Sequence, residues 1–170
     1  MKTNICIPLL FSWLLMYSNS LSAQEPIKIQ HLENKPIVVG EINGRKAYFL
    51  LDTGSDLTLL HENKATYYDF KIKKMVKPQC ITGANGRIGE INRAGDVELF
   101  LGTLPITTAY FTYDLSGIIQ SIYHKTFIRI SGIIGSDVMI RYGFVIDYGK
   151  EEVHYDQSLA EAVVPAIRKE

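Results

Sequence analysis

The chain has 170 residues, 46% of them hydrophobic, with 18 basic and 18 acidic side chains and no net charge. This balance excludes the basic excess that attracts nucleic acid or an anionic membrane surface. The length is sufficient for one domain with a hydrophobic core.

Residues 1–23 have the pattern of a secretory signal peptide. Lys2 supplies the positive start, Ile7–Met16 is apolar, and Ala23 precedes the expected cleavage point. An uncleaved N-terminal anchor is the alternative, although the apolar stretch is short for a membrane span. We therefore expect an exported protein, periplasmic or secreted, with no membrane span after cleavage.

Cleavage would leave residues 24–170 with 17 bases and 18 acids, because Lys2 is the only charged side chain removed. Cys80 would be the single remaining cysteine, so no disulfide can form within one chain. Burial is the expected state of this thiol.

The first predicted strands form a hairpin. Residues 24–36 are polar with two prolines and predict a loosely held arm, and a strand begins at Ile37. Asn43-Gly44 is typical of a two-residue hairpin turn, since both residue types accept a positive φ. The return strand, Ala47–Leu51, is apolar on both sides, which predicts burial on both faces.

A polar loop, Asp52-Thr53-Gly54-Ser55, follows this strand directly. A second apolar strand, Leu57–Leu60, comes after it. A carboxylate at the end of a buried strand is costly unless it is used or neutralised. It is either a turn acid satisfied by its neighbours or a catalytic group.

Residues 79–91 predict a flexible hairpin with its turn at Asn85-Gly86. Its glycines do not have the spacing of a dinucleotide-binding loop, and no helix pattern follows. Strands are expected at 97–101 and 107–113. Residues 116–131 have no clean period and predict an inserted loop.

Near the end of the chain, Gly132-Ile133-Ile134-Gly135 holds two β-branched residues between glycines. A short helix at 137–141 and a last hairpin over 144–155 are expected to follow. Short strands and many glycine turns predict an all-β domain, a small closed or partly closed β-barrel with one short helix near its C-terminal half. The tail, 157–170, is expected to be a short helix or disordered.

Three features make the chain resemble the retropepsin-like aspartic proteases over residues 37–156, with residues 24–170 as the domain. They are the Asp52-Thr53-Gly54-Ser55 loop between apolar strands, the glycine-rich hairpin in the position of the family's flap, and the Gly132–Gly135 element. The resemblance implies an aspartic endopeptidase of the retropepsin-like barrel type. Such an enzyme requires no metal and no cofactor. Its substrate is a polypeptide, and no nucleic-acid partner is expected.

Carried over from the family, Asp52 is the catalytic acid and Thr53 bonds to the second copy of the loop. Gly54 lets the backbone approach the carboxylate, and Ser55 bonds to its outer oxygen. The flap residues that contact substrate are Gly83, Ala84, Asn85 and Gly86. The loop is braced by Gly132, Ile133, Ile134 and Gly135.

The family's mechanism needs two carboxylates, and this chain has one Asp-Thr-Gly loop. Asp147-Tyr148-Gly149 has the wrong middle residue, and Asp137 lies in the expected helix. The resemblance therefore implies a homodimer in which each chain gives one Asp52. The alternative is an exported peptide-binding or scaffold domain that has this fold without the activity.

Overall fold

The computed structural model describes residues 25–31, 35–75, 79–83 and 86–166. The predicted signal peptide lies outside these ranges, as do Ala84 and Asn85 of the predicted flap. The strands are β1 (Ile27–His31), β2 (Ile37–Ile42), β3 (Arg45–Leu51), β4 (Leu59–His61), β5 (Lys71–Lys73), β6 (Gln79–Gly83), β7 (Gly86–Gly95), β8 (Leu99–Leu101), β9 (Leu104–Ile106), β10 (Phe111–Tyr113), β11 (Gly132–Ile134), β12 (Val145–Asp147) and β13 (Glu152–His154). The helices are α1 (Ala65–Tyr68), α2 (Ser116–Thr126), α3 (Ser136–Arg141) and α4 (Gln157–Ala166), and a 3-10 turn spans Glu62–Lys64.

The fold is mostly β, as predicted, and its sheet is mixed. The order is β12-β13-β1-β2-β3-β11-β4-β10-β7-β5, with β8 beside β2, β9 beside β8, and β6 beside β7. The pairings recorded for the described ranges do not join the two ends of this order. The sheet is therefore open in these pairings, and closure into a barrel is not confirmed.

The prediction of a single short helix is wrong, because α2 occupies most of the expected loop at 116–131. Leu115, Ile119 and Ile122 are buried at the four- and three-residue spacing of a helix face. Ile118 is also apolar but exposed, so the apolar residues of this segment do not all follow one helical spacing in the sequence. Helix α2 ends at Thr126, and the next residue, Phe127, has a left-handed φ of 57°.

The predicted arm at 24–36 is also partly wrong, since it contains β1. This strand pairs antiparallel with β2 on one side and with β13 on the other. Ile27 and Ile29 are buried and alternate with exposed polar residues, which is the pattern of a half-buried strand. Pro26 and Pro36, on either side of this strand, favoured an irregular arm when only the sequence was considered.

The Asn43-Gly44 turn is confirmed, with φ of 49° and 72°. The Asn43 side chain also forms hydrogen bonds to other parts of the backbone. The side-chain Nδ2 donates to the carbonyl oxygens of Tyr68 and Asp96, at 2.9 Å each, and Oδ1 accepts from the Glu98 N–H at 2.7 Å. One side chain therefore ties two separate segments, the end of α1 and the residues before β8, to the hairpin that leads to Asp52.

The central strands are buried on both faces, as expected for β3. Leu50, Leu59 and Ile133 belong to one hydrophobic cluster, whereas their neighbours Leu51, Leu60 and Ile134 belong to another. Because successive strand residues point to opposite faces, the two clusters lie on either side of the sheet. The Asp52 loop thus joins two strands fixed by core packing on both sides. No helix in the described ranges has the length and apolar character needed to cross a membrane.

Candidate active site

Asp52 follows the last residue of β3, where the sheet holds the backbone. The Leu51 N–H donates to the Pro36 oxygen at 2.9 Å, and the Asp52 N–H donates to the Ile134 oxygen at 3.0 Å. These bonds continue the pairing of β3 with its neighbours up to the acid itself. The position of the Asp52 backbone is therefore set by the sheet rather than by the loop.

The loop itself is a tight turn closed by Asp52. Its carbonyl oxygen accepts from the Ser55 N–H at 3.1 Å, and its Oδ1 accepts from the Gly54 N–H at 3.0 Å. A Cβ on Gly54 would lie 3.2 Å from Oδ1, a tight contact, so glycine lets the carboxylate approach the loop backbone closely. The carboxyl group is half-buried, whereas Thr53 and Gly54 are exposed.

The Ser55 hydroxyl has a different partner from the one expected. It donates to the Leu57 oxygen at 2.8 Å, which stabilises the return of the chain toward β4. The expected bond to the outer oxygen of Asp52 stays a prediction for the paired loops. Within one chain, the recorded donor to the Asp52 carboxylate is the Gly54 N–H.

The Gly-Ile-Ile-Gly element lies between the two strands that flank the loop. Strand β11 pairs parallel with β3, with Ile134 opposite Leu51, and antiparallel with β4, with Gly132 opposite Leu60. A Cβ on Gly132 would lie 2.6 Å from the Leu59 oxygen. The strands can therefore approach this closely only because the residue is glycine.

The second glycine of the element holds the far side of the loop. A Cβ on Gly135 would lie 2.6 Å from the Leu57 oxygen and 2.8 Å from the Ser55 oxygen. The Ser136 N–H and hydroxyl both donate to that Ser55 oxygen, at 2.8 and 3.1 Å. The start of α3 therefore packs against the backbone of the Asp52 loop.

Three residues of this bracing arrangement were missed in the sequence. The buried Thr58 hydroxyl accepts from the Gly135 N–H at 3.1 Å and donates to Asp137 Oδ1 at 2.8 Å. Thr108 donates to Asp137 Oδ2 at 3.0 Å. Nothing in the sequence indicated this network, since a threonine inside an apolar strand is common and carries no signal of its own.

The predicted flap is a hairpin of β6 and β7. Its strands pair antiparallel, from Gln79 opposite Ile91 to Gly83 opposite Gly86, with an irregularity after Ile81. Ile91, at the base of the hairpin, is buried in the cluster that contains Leu50 and Leu59. The hairpin is therefore anchored in the same core as the strands on either side of Asp52.

The two other acids considered in the sequence have structural roles. Asp147 closes the last hairpin, where its Oδ1 accepts from the N–H groups of Lys150 at 3.0 Å and Gly149 at 2.9 Å. These hydrogen bonds hold the pKa of Asp147 below its usual range, and the one from the Lys150 N–H has the largest effect. Asp137 lies in the bracing network. Neither is part of a second Asp-Thr-Gly loop.

No protein-family model matches the chain, and no curated protein matches it. Among solved structures, it is similar to the EIAV protease complexed with the inhibitor HBY-793. The two sequences are 21% identical, and the alignment covers 65% of this chain and 89% of that one, with a TM-score of 0.44.

Proposed function

We propose that the chain is an aspartic endopeptidase in which Asp52 of two copies forms the catalytic pair. One observation carries the proposal: the Asp52 carboxyl lies half-exposed on a loop whose backbone is fixed on both sides by β11 and α3. A turn acid that only satisfies its neighbours needs no such support. A catalytic acid does, because its geometry must be held within a fraction of an ångström.

The chemistry follows from two carboxyl groups placed close together. Like charges at that distance cannot both ionise, so the pair holds one proton and titrates as a unit. The ionised member takes a proton from a water molecule, and the protonated member donates to the scissile carbonyl oxygen as that water attacks. The Gly54 N–H on Oδ1 fixes the orientation of each carboxyl group.

In this proposal the second carboxyl group comes from another copy of the chain, since residues 1–170 contain one Asp-Thr-Gly loop. The exposed Thr53 is available to contact its counterpart across a two-fold axis. The substrate in this proposal is an extended polypeptide bound beneath the β6–β7 hairpin through main-chain hydrogen bonds. Export after cleavage of residues 1–23 remains part of the proposal.

The decisive experiment compares Asp52→Asn with Asp56→Asn in a peptide-cleavage assay from acid to neutral pH. Both variants replace an aspartate by asparagine, four residues apart in the segment between β3 and β4, and Asp56 is exposed. We expect Asp52→Asn to abolish cleavage and Asp56→Asn to retain it. Equal cleavage by wild type and Asp52→Asn would overturn the assignment, and an inactive but monomeric wild type would favour the binding-domain alternative.

The pairing is tested by mixing wild type with Asp52→Asn under conditions that exchange subunits. If both carboxylates are needed, activity falls with the square of the wild-type fraction. An equal mixture at fixed total protein then holds about one quarter of its dimers as wild-type pairs. A linear fall, to about one half, would show that each chain cleaves independently with its own Asp52, and retention of about three quarters would show that one Asp52 suffices in a dimer.

A further inference from the structure

A second concave site lies away from Asp52, bounded by β3, α1 and α2. Its volume is about 670 Å³, within the range of small-molecule sites. Tyr48, which lines it, precedes Asp52 by four residues on the same strand, or about 13 Å at the rise of an extended chain. The cavity is therefore separate from the catalytic loop.

The lining has one sign of charge. Lys46, Lys64 and Arg129 contribute cationic side chains, and none of the described residues that line the cavity is acidic. Low-dielectric walls with a single sign of charge strengthen the attraction for an oppositely charged ligand. This arrangement therefore favours an anion.

Aromatic rings form much of the wall, and they support the cations. Lys46 Nζ lies 5.1 Å from the centre of the Tyr48 ring, and Arg129 Cζ lies 4.2 Å from the centre of the Tyr123 ring. Such contacts hold flexible cationic chains near one position. The rings also offer apolar surface to the body of a ligand.

The buried end of the cavity is polar and ordered. Tyr68 and Ser131 are buried, and their hydroxyl oxygens are 2.6 Å apart. The Tyr68 hydroxyl donates to the Lys46 oxygen, so Ser131 is the donor between the two. The buried His61 accepts the Leu115 N–H at Nδ1, which leaves its proton on Nε2. The cavity thus ends in prepositioned polar groups.

We propose that this cavity binds a small organic anion, a carboxylate attached to an aromatic body. The cations at the rim bind the carboxylate, and the tyrosine rings pack against the aromatic group. The proposal is independent of the protease assignment, because no lining residue belongs to the Asp52 loop.

The test titrates the Asp52→Asn protein with N-acetylphenylalanine and, as a neutral match, N-acetylphenylalaninamide, followed by NMR. The Asp52→Asn protein lacks the carboxyl group of the proposed catalytic site, so the result does not depend on protease activity. We expect the carboxylate to shift signals of the cavity residues and to bind at least about tenfold more tightly than the amide, the scale of one charge-assisted contact. Equal binding of the two probes, or no binding at millimolar concentration, would overturn the proposal.

Variants locate the site. The double variant Lys46→Gln with Arg129→Gln is expected to weaken binding of N-acetylphenylalanine by about tenfold or more. The double variant Lys74→Gln with Lys125→Gln is the matched control, since both lysines are exposed and neither lines the cavity. Equal losses in both variants would show non-specific attraction and would contradict the site.

A last measurement distinguishes two ligands that both carry an aromatic group and a carboxylate: a free small molecule and the C-terminus of a polypeptide. A pentapeptide with a free C-terminal phenylalanine is compared with N-acetylphenylalanine. Tighter binding of the peptide assigns the cavity to the C-terminus of a polypeptide, whereas equal or weaker binding assigns it to a free small molecule. Failure of the protease assay changes neither result, so the two proposals are tested separately.

Discussion

Thr58 donates a hydrogen bond of 2.8 Å to Asp137, although 79 residues separate the two in sequence. The same hydroxyl accepts from the Gly135 N–H at 3.1 Å. One fully buried side chain therefore joins β4, the end of β11 and α3 at the base of the Asp52 loop.

We expect Thr58→Val to lower the free energy of unfolding by about 1–3 kcal/mol, because it leaves the buried Gly135 N–H without an acceptor. Thr108→Val removes one hydrogen bond to the same Asp137 and is expected to cost about 0.5–1.5 kcal/mol. Urea unfolding of both variants measures the difference. Equal costs would show that Thr58 does not have this bridging role.

Gly135→Ala tests the close packing of the loop against β11. The new Cβ would meet the backbone of Leu57 at 2.6 Å, which no side-chain rotation relieves. We expect a loss of stability of about 1–3 kcal/mol or more, together with loss of peptide cleavage. Gly117→Ala is the control, since its Cβ meets nothing within 4 Å, and alanine there should stabilise α2 by about 0.4–1 kcal/mol. A neutral Gly135→Ala would show that the loop moves freely from α3.

Asn43 provides a third prediction, on the hairpin that leads to Asp52. Asn43→Gly retains the positive φ but removes four side-chain hydrogen bonds, for a loss of roughly 1–4 kcal/mol. Asn43→Ala also strains the turn and is expected to be worse by a further 1 kcal/mol or so. Thermal unfolding gives the ranking. An alanine variant as stable as the glycine variant would contradict the role assigned to φ.

His61 makes stability depend on pH. Burial lowers its pKa from the usual 6.5, against the opposing effect of Asp114. The unfolded chain therefore binds a proton at this residue below pH 6.5 that the folded chain does not, and stability falls as the pH falls through that value. At higher pH the histidine is neutral in both states and this loss disappears.

His61→Asn keeps an acceptor for the Leu115 N–H without a titrating ring. We expect the free energy of unfolding of the variant to vary less than that of wild type between about pH 5 and pH 8. Urea unfolding across this range gives both curves, and the other titrating groups cancel in their difference. Parallel curves would show that His61 titrates alike in both states.

Local sequence patterns predicted the parts of the fold that are determined by residues close together in the sequence. Asn43-Gly44 predicted a turn because both residue types accept a positive φ, and the structure has this φ at both. The apolar run before Asp52 predicted a strand buried on both faces, and the two hydrophobic clusters confirm it. The glycine-rich hairpin was also found, since β6 and β7 are neighbours in sequence. In each case the information lies within about a dozen residues.

The errors have a physical cause in distant contacts. Strand β1 is stable because it pairs with β13, more than a hundred residues away. The buried residues of α2 belong to the same cluster as Leu50 and Leu59, which lie more than fifty residues earlier in the sequence. The network of Thr58 and the cavity beside Tyr48 have no local signature, because their residues come together only in the folded chain.

The position of β11 also sets an order of assembly. Strands β3 and β4 are neighbours in sequence, yet they are joined through a strand that is synthesised some seventy residues later. Closing such a long loop is a late and slow event in folding. The Asp52 loop therefore lacks its final bracing until Asp137 has been made, and in the proposed protease this would keep a growing chain inactive until most of it has been synthesised.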